Sequence, residues 1–259
     1  MIAVRHLFLA VCAAASLWLS ACTAEPPPRA CSPVDFDGAP FTVCSFDVDR
    51  ADIRLFLTHP DGAPYAQFAR LAAQMEADGT PLLFAMNGGM YHDDRRAVGL
   101  YVEDGEQAAP LVTSAGPGNF GMLPNGVFWR DGGDAGITET NAYGALFPDG
   151  SPRYATQSGP MLVLDGALHP DFNADGPSRK RRNGVGLSAD GRTVHFAISD
   201  APVNFHTFAR LFRDRLGTPN ALYLDGVVSR LYAPGIQRDE PGPDLGPIVA
   251  VVSAPAAAP

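Results

Sequence analysis

The chain has 259 residues and a formal net charge of −9, with 28 acidic against 19 basic side chains. That balance weighs against nucleic acid as a partner, because phosphate-backbone binding needs a basic face. The 27 glycines and 24 prolines are spread evenly, which argues for many short strands and turns and against a helical bundle.

In chain order, Arg5 and His6 precede an apolar run from Leu7 to Leu19. The run is too short and too early for a membrane span, so residues 1–21 read as an export signal. Its end, Leu19-Ser20-Ala21-Cys22, resembles the bacterial lipoprotein cleavage box. That resemblance implies lipidation of Cys22 and anchoring to the cell envelope, facing the periplasm or exterior; an ordinary cleaved signal is the alternative. Residues 22–30 carry Pro26-Pro27-Pro28 and read as a tether, since polyproline neither packs nor donates backbone hydrogen bonds. Cys31 and Cys44 then remain as an even pair in an oxidising compartment, which reads as a disulfide. Residues 31–253 form one domain, and the Ala/Pro run at 254–259 reads as a disordered tail.

Within the domain, Phe68, Leu71, Ala72 and Met75 fall at helical spacing and predict a helix from Tyr65 to Asp78, closed by Gly79. Phe205, Phe208, Ala209 and Phe212 predict a second from Phe205 to Leu216, capped by Asn204 and ended by Gly217. These phenylalanines read as helix core. Leu82 to Met86 and Ala221 to Leu224 are continuous apolar runs, as expected of strands covered on both faces. Val98 to Glu103, Gly126 to Trp129, Met161 to Leu164, Val185 to Leu187 and Val194 to Ile198 are shorter strand candidates. Asp165-Gly166 and Ala189-Asp190-Gly191-Arg192 read as hairpin turns. The expected class is α+β, a single domain with a large mixed β-sheet and a few packed helices.

One layout occurs twice. Phe-Ala-Arg-Leu at Phe68 to Leu71 leads through Gly79-Thr80-Pro81 and an apolar strand to Asn87-Gly88. The same tetrapeptide at Phe208 to Leu211 leads through Gly217-Thr218-Pro219 and an apolar strand to Asp225-Gly226. Strands that each deliver a polar residue and a glycine at their C-terminal ends commonly build a site. Three further segments pair glycine with polar residues: Gln157-Ser158-Gly159-Pro160, Arg182-Asn183-Gly184, and Ser229 just beyond Asp225. Such glycines allow close backbone approach and expose N–H groups to an anion.

Taken together, Asn87-Gly88-Gly89, then Ser158-Gly159-Pro160-Met161-Leu162-Val163, then Arg182 with Gly186, then Leu224-Asp225-Gly226 resemble the phosphodiester glycosidase family, across roughly residues 81–233. The family commonly has Asp-Gly-Gly-Gly-Ser where this chain has Asp225-Gly226-Val227-Val228-Ser229. The resemblance implies hydrolysis of a sugar-1-phosphodiester at the anomeric carbon, with a sugar-phosphate or glycan as partner. It makes Asp225 the base for water or the nucleophile, Arg182 the phosphate clamp and Asn87 a neutral orienting group. Gly88, Gly89, Gln157, Ser158, Gly159, Gly226, Ser229 and Asp200 are the further expected substrate contacts, Asp200 as a second carboxylate. A non-catalytic carbohydrate- or phosphate-binding lipoprotein is the competing reading, and a structural envelope protein a third. No cofactor is encoded; Asp225, Asn87 and Asp200 are oxygen ligands of the kind that hold Ca²⁺ or Mg²⁺. Plainer readings stand beside these: Asp225 capping its turn, Arg182 on a solvated basic face, His92 in a turn and His195 in the core.

Overall fold

Apolar runs interrupted by glycine and aspartate turns fold into short strands, described for residues 30–148 and 150–254 in a computed structural model. The signal segment, Cys22, the tether up to residue 29 and the tail from 255 lie outside the described residues. The chain opens with β1 (Cys31–Phe36), β2 (Ala39–Asp47) and β3 (Asp52–Phe56), followed by α1 (Phe68–Ala77) and β4 (Leu82–Asn87). Next come β5 (Tyr101–Glu103), β6 (Glu106–Ala109), β7 (Gly126–Asp131), β8 (Asp134–Glu139), α2 (Thr140–Leu146) and β9 (Tyr154–Ser158). Then follow β10 (Met161–Leu164), β11 (Ala167–Leu168), β12 (Asn183–Leu187), β13 (Thr193–Ser199) and α3 (Phe205–Arg210), which runs on as a π-helical turn, Leu211–Arg215. The chain closes with β14 (Asn220–Asp225), β15 (Leu231–Ala233), a 3₁₀ turn, β16 (Arg238–Asp239) and β17 (Ile248–Val252).

The α+β class and the few packed helices hold. The strands expected in one large mixed sheet are instead divided among three, with every pairing antiparallel: β1-β2-β13-β12-β14-β10-β11, β16-β15-β4-β17-β3 and β6-β5-β9-β7-β8. The division follows from the packing. Phe46 and Phe196 of the first sheet, Phe84 of the second and Phe128 of the third meet in one aromatic cluster, with ring centroids 4.9–5.9 Å apart for Phe84–Phe196, Phe46–Phe84 and Phe128–Phe196. All three inner faces are therefore dry. Each outer face is covered by a helix: α3 over Val43, Ala197 and Ala221, α1 over Leu82, Ala85 and Ile248, and α2 over Val127. This is why β4 and β14 read as continuous apolar runs. In β14, Leu222 and Leu224 face the common core while Ala221 and Tyr223 face α3.

Asn204 caps α3 as expected, its side chain accepting from the Thr207 N–H at 2.9 Å. Asp165-Gly166 forms the two-residue turn of the β10–β11 hairpin, with φ of 50° and 81°. Cys31 and Cys44 are cross-strand partners joined in a disulfide. Among the described residues no helix is long and apolar enough to cross a membrane.

Candidate active site

The two copies of the repeated layout lie on different sheets, yet their strands end side by side. Asn87, last residue of β4, donates its Nδ2 to Asp225 Oδ2, last residue of β14, at 3.4 Å. The same amide donates to the Val228 carbonyl and accepts the Arg230 N–H at 2.8 Å on Oδ1. Asn87 thus fastens the loop that follows β14. Asn183, cross-strand partner of Asp225 on β12, donates to the Asn87 carbonyl at 3.3 Å. Its Oδ1 is buried and has no hydrogen-bond partner among the described residues.

Asp225 is 6% exposed. Its Oδ1 accepts the N–H groups of Gly226 at 2.5 Å and Val227 at 2.8 Å, so the turn-capping reading is correct for that oxygen. Burial raises the carboxyl above its ordinary range, and the backbone N–H donors and Asn87 only partly offset this. None of residues 226–228 takes a positive φ, so the two valines in place of the family's glycines cost no backbone strain. Gly226 itself is required, because a Cβ there would lie 1.7 Å from Tyr223 Oη.

Arg182 departs from both expectations. It is completely buried, so it belongs to no solvated face, and each of its guanidinium nitrogens already has a partner. Nε reaches the Val203 carbonyl at 2.9 Å, Nη2 the Ser178 carbonyl at 2.9 Å and Nη1 the Tyr223 hydroxyl at 3.2 Å. The guanidinium stacks on Phe205, 3.6 Å from the ring centroid, and burial pulls its pKa down. In place of an open fork for phosphate it supports Tyr223, and through Tyr223 the Gly226 turn.

The other expected contacts divide. Ser229 lies in the site, donating to the Asp225 carbonyl at 3.0 Å and the Arg181 carbonyl at 3.1 Å. Ser158 is next to β14, but its hydroxyl is turned to the Leu224 carbonyl at 3.1 Å. The Gly88 N–H is taken by the Pro247 carbonyl at 2.7 Å, so it is not free for an anion. Gly88 and Gly89 serve close packing instead: a Cβ on Gly88 would lie 2.8 Å from the Val249 nitrogen, one on Gly89 2.7 Å from Thr156 Oγ1. Gly159 likewise packs against Asn125. Gln157 points to the opposite side of β9 from Ser158, and its amide is spent on Leu100, Val112 and Thr140. Asp200 belongs to a separate network with Thr42 and Arg238, at 2.8 Å from each, and is no second carboxylate for Asp225. Of the oxygens considered for a divalent cation, Asp200 lies in that network, while Asn87 and Asp225 lie together with Asn87 Oδ1 accepting the Arg230 N–H. His92 sits in a turn, as expected; His195 is only half-buried, not core, and bonds Ser45 Oγ of the first sheet.

Asp225 opens onto a cleft of about 500 Å³. Met90, Tyr91, Val98, Val227 and Val228 form its apolar wall, and Gly118 and Asn119 its polar side. Asn119 also approaches the Tyr223 hydroxyl. Asn119, Tyr223 and Arg230 carry no sequence signal of their own; only the Gly116-Pro117-Gly118 turn cluster beside Asn119 marks a loop there.

Residues 80–244 match the model of the phosphodiester glycosidase family. The chain is 34% identical over 183 residues to the uncharacterized protein YigE of Escherichia coli (strain K12), covering 71% of this chain and 70% of that one. Zebrafish N-acetylglucosamine-1-phosphodiester alpha-N-acetylglucosaminidase, solved as a catalytic domain auto-inhibited by its pro-peptide, superposes with a TM-score of 0.58 at 15% identity, over 85% of this chain and 81% of that chain. A hypothetical protein from Synechocystis gives 0.57 at 13% identity, over 86% of this chain but 61% of its own. At these identities the two structures establish a shared fold.

Proposed function

The chain belongs to the phosphodiester glycosidase family, and from that premise we propose that it hydrolyses a sugar-1-phosphodiester at the anomeric carbon, acting on glycans of the cell envelope to which Cys22 anchors it. The observation that carries this reading is the Asp225 carboxylate at the floor of the cleft, with one oxygen held by the turn and the other beside Asn87. A fixed carboxylate of raised pKa is suited to base or nucleophile chemistry. Water, or Asp225 itself, forms the new bond to the anomeric carbon. The bond from that carbon to the phosphate oxygen breaks, and its electron pair leaves on the phosphate. When water attacks, Asp225 takes its proton; when Asp225 attacks, water then adds to the anomeric carbon of the glycosyl ester, the carbon–Asp225 bond breaks with its electron pair returning to the carboxylate, and the water's proton passes to the released phosphate or to solvent. A phosphate is a better leaving group than a sugar alkoxide, so the second, acidic carboxyl of ordinary glycosidases is dispensable.

The test is release of reducing sugar from synthetic sugar-1-phosphodiesters. Asp225→Asn is expected to lower kcat at least 10³-fold, roughly, while the protein stays folded. Wild-type activity is expected to fall on acidification through a pKa above the ordinary aspartate range, because the ionised form does the work. Wild-type turnover by Asp225→Asn refutes the assignment. Ligand-induced thermal stabilisation without any turnover points to the non-catalytic binding lipoprotein.

A further inference from the structure

An anionic phosphodiester needs a cation, and among the described residues the cleft wall supplies none: the one charged residue lining it is Asp225. Arg182 is completely buried, and each of its guanidinium nitrogens is bonded within the protein. Arg230 is equally committed, to the Glu240 and Pro243 carbonyls and Gln67 Oε1. One guanidinium beside a lining residue is differently placed. Arg95 stacks on Tyr91, 5.4 Å from the ring centroid, and Tyr91 lines the cleft. Among the described residues no carboxylate lies within ion-pairing distance of Arg95, whereas its neighbour Arg96 is bound to Asp94 at 2.7 Å.

The backbone sets where Arg95 sits. Tyr91 and Ala97 are bridged, the turn between them closes with the Arg95 N–H on the His92 carbonyl, and Arg95 has φ of +72°. Glycine or asparagine suits that left-handed position; an arginine there carries a steric cost. Tyr91 connects the two charges, since its phenol is raised by burial and by Asp225 and lowered by Arg95.

We propose that Arg95 is the specificity-determining cation of this site, meeting the phosphate of a sugar-1-phosphodiester from the rim while Tyr91 holds its guanidinium over the cleft. This rests on the glycosidase reading above. It assigns the phosphate side of the cleft to the face formed by Tyr91 and Val98, and leaves the sugar to the Asn119 side.

The experiment compares wild type, Arg95→Gly, Arg95→Lys and Arg96→Ala on the methyl phosphodiester of N-acetylglucosamine 1-phosphate and on a neutral aryl N-acetylglucosaminide. Glycine fits the turn, so Arg95→Gly folds. Its KM for the diester is expected to rise about tenfold with kcat within about threefold, as for loss of one charge-assisted hydrogen bond. Arg95→Lys retains part of the affinity, the neutral glycoside is indifferent, and Arg96→Ala matches wild type. A diester KM within twofold of wild type in Arg95→Gly overturns the proposal. If wild type turns over neither substrate nor any other sugar-1-phosphodiester, the glycosidase reading fails, and binding of N-acetylglucosamine 1-phosphate against N-acetylglucosamine decides the inference. A phosphate preference that disappears in Arg95→Gly sustains it; an unchanged preference, or none in wild type, overturns it.

Discussion

At the residue scale the site is a set of amides and one acid, each with little freedom left. Asp225 uses one oxygen to close its own turn, Asn87 uses both ends of its amide, and Gly226 leaves space for the Tyr223 hydroxyl. That last contact gives a sharp expectation. In Gly226→Ala the new methyl overlaps Tyr223 Oη, so the phenol must leave Arg182 or the turn must shift Asp225. Stability should drop by about 1–3 kcal/mol through overpacking, and turnover should fall with it. In Gly226→Ala/Tyr223→Phe the oxygen is gone, although the ring carbon that bore it is still only 3.0 Å away. Partial recovery of the urea midpoint is therefore expected, and none would mean that the clash is not with Tyr223. Asp225 and Asn87 were legible in the sequence because each ends an apolar run beside a glycine. The burial of Arg182 was not, since four consecutive basic residues carry no mark of which one turns inward onto Phe205. Asp200 misled for a related reason: a carboxylate after a strand looks the same whether it faces a cleft or an ion-pair network.

At the scale of elements, the helix–turn–strand repeat was the legible part, and the structure gives it a spatial meaning. Helices α1 and α3 each cover the outer face of a sheet, and the strands that follow them meet at their ends. Helix α2 was missed because seven residues with a glycine inside give too few periods to register. The strand predicted from Val98 begins only at Tyr101, since Gly99 is pressed against Phe120 and Gln157 before pairing starts. Strand β5 also carries a join between sheets that no local pattern encodes. Glu103 accepts the Leu57 N–H at 3.0 Å and the Tyr101 hydroxyl at 3.1 Å, tying the third sheet to the chain that leaves β3. Burial pushes its carboxyl up to about 7. A raised carboxyl binds its proton more tightly in the folded state, so its contribution is fully present below the unfolded value near 4.5 and lost as pH rises through about 7. The loss is on the order of 3 kcal/mol. Urea unfolding at pH 4.5, 6 and 8 should show stability declining with pH in wild type. Glu103→Gln keeps both acceptor contacts without a charge and should flatten that decline; an equally steep decline in the variant rules the join out as its source.

At the scale of the whole molecule, three sheets around one aromatic cluster place β4, β12 and β14 so that the site forms where two sheets meet. Sequence periodicity reports whether a strand is covered on one face or two, and it did so for β4 and β14. It does not report which strands pair, because that depends on contacts more than a hundred residues apart, such as Asn87 with Asp225. Net charge, by contrast, is a global property that the sequence gives outright, and it sets a last expectation. The chain carries −9 and the proposed substrate is an anion, so the long-range field opposes encounter. The Debye length shrinks from about 30 Å at 0.01 M salt to about 8 Å at 0.15 M. That range screens the distant acidic surface while leaving a guanidinium in contact with phosphate less affected. For a sugar-1-phosphodiester, kcat/KM should therefore rise a few-fold between those concentrations, and for a neutral glycoside it should stay flat. Arg95→Gly removes the local attraction and keeps the repulsion, so its rise should be steeper from a lower start. A kcat/KM that falls with salt in wild type would mean that a local cationic field outweighs the acidic surface even at long range, and the charge of the whole molecule would then have no say in substrate capture.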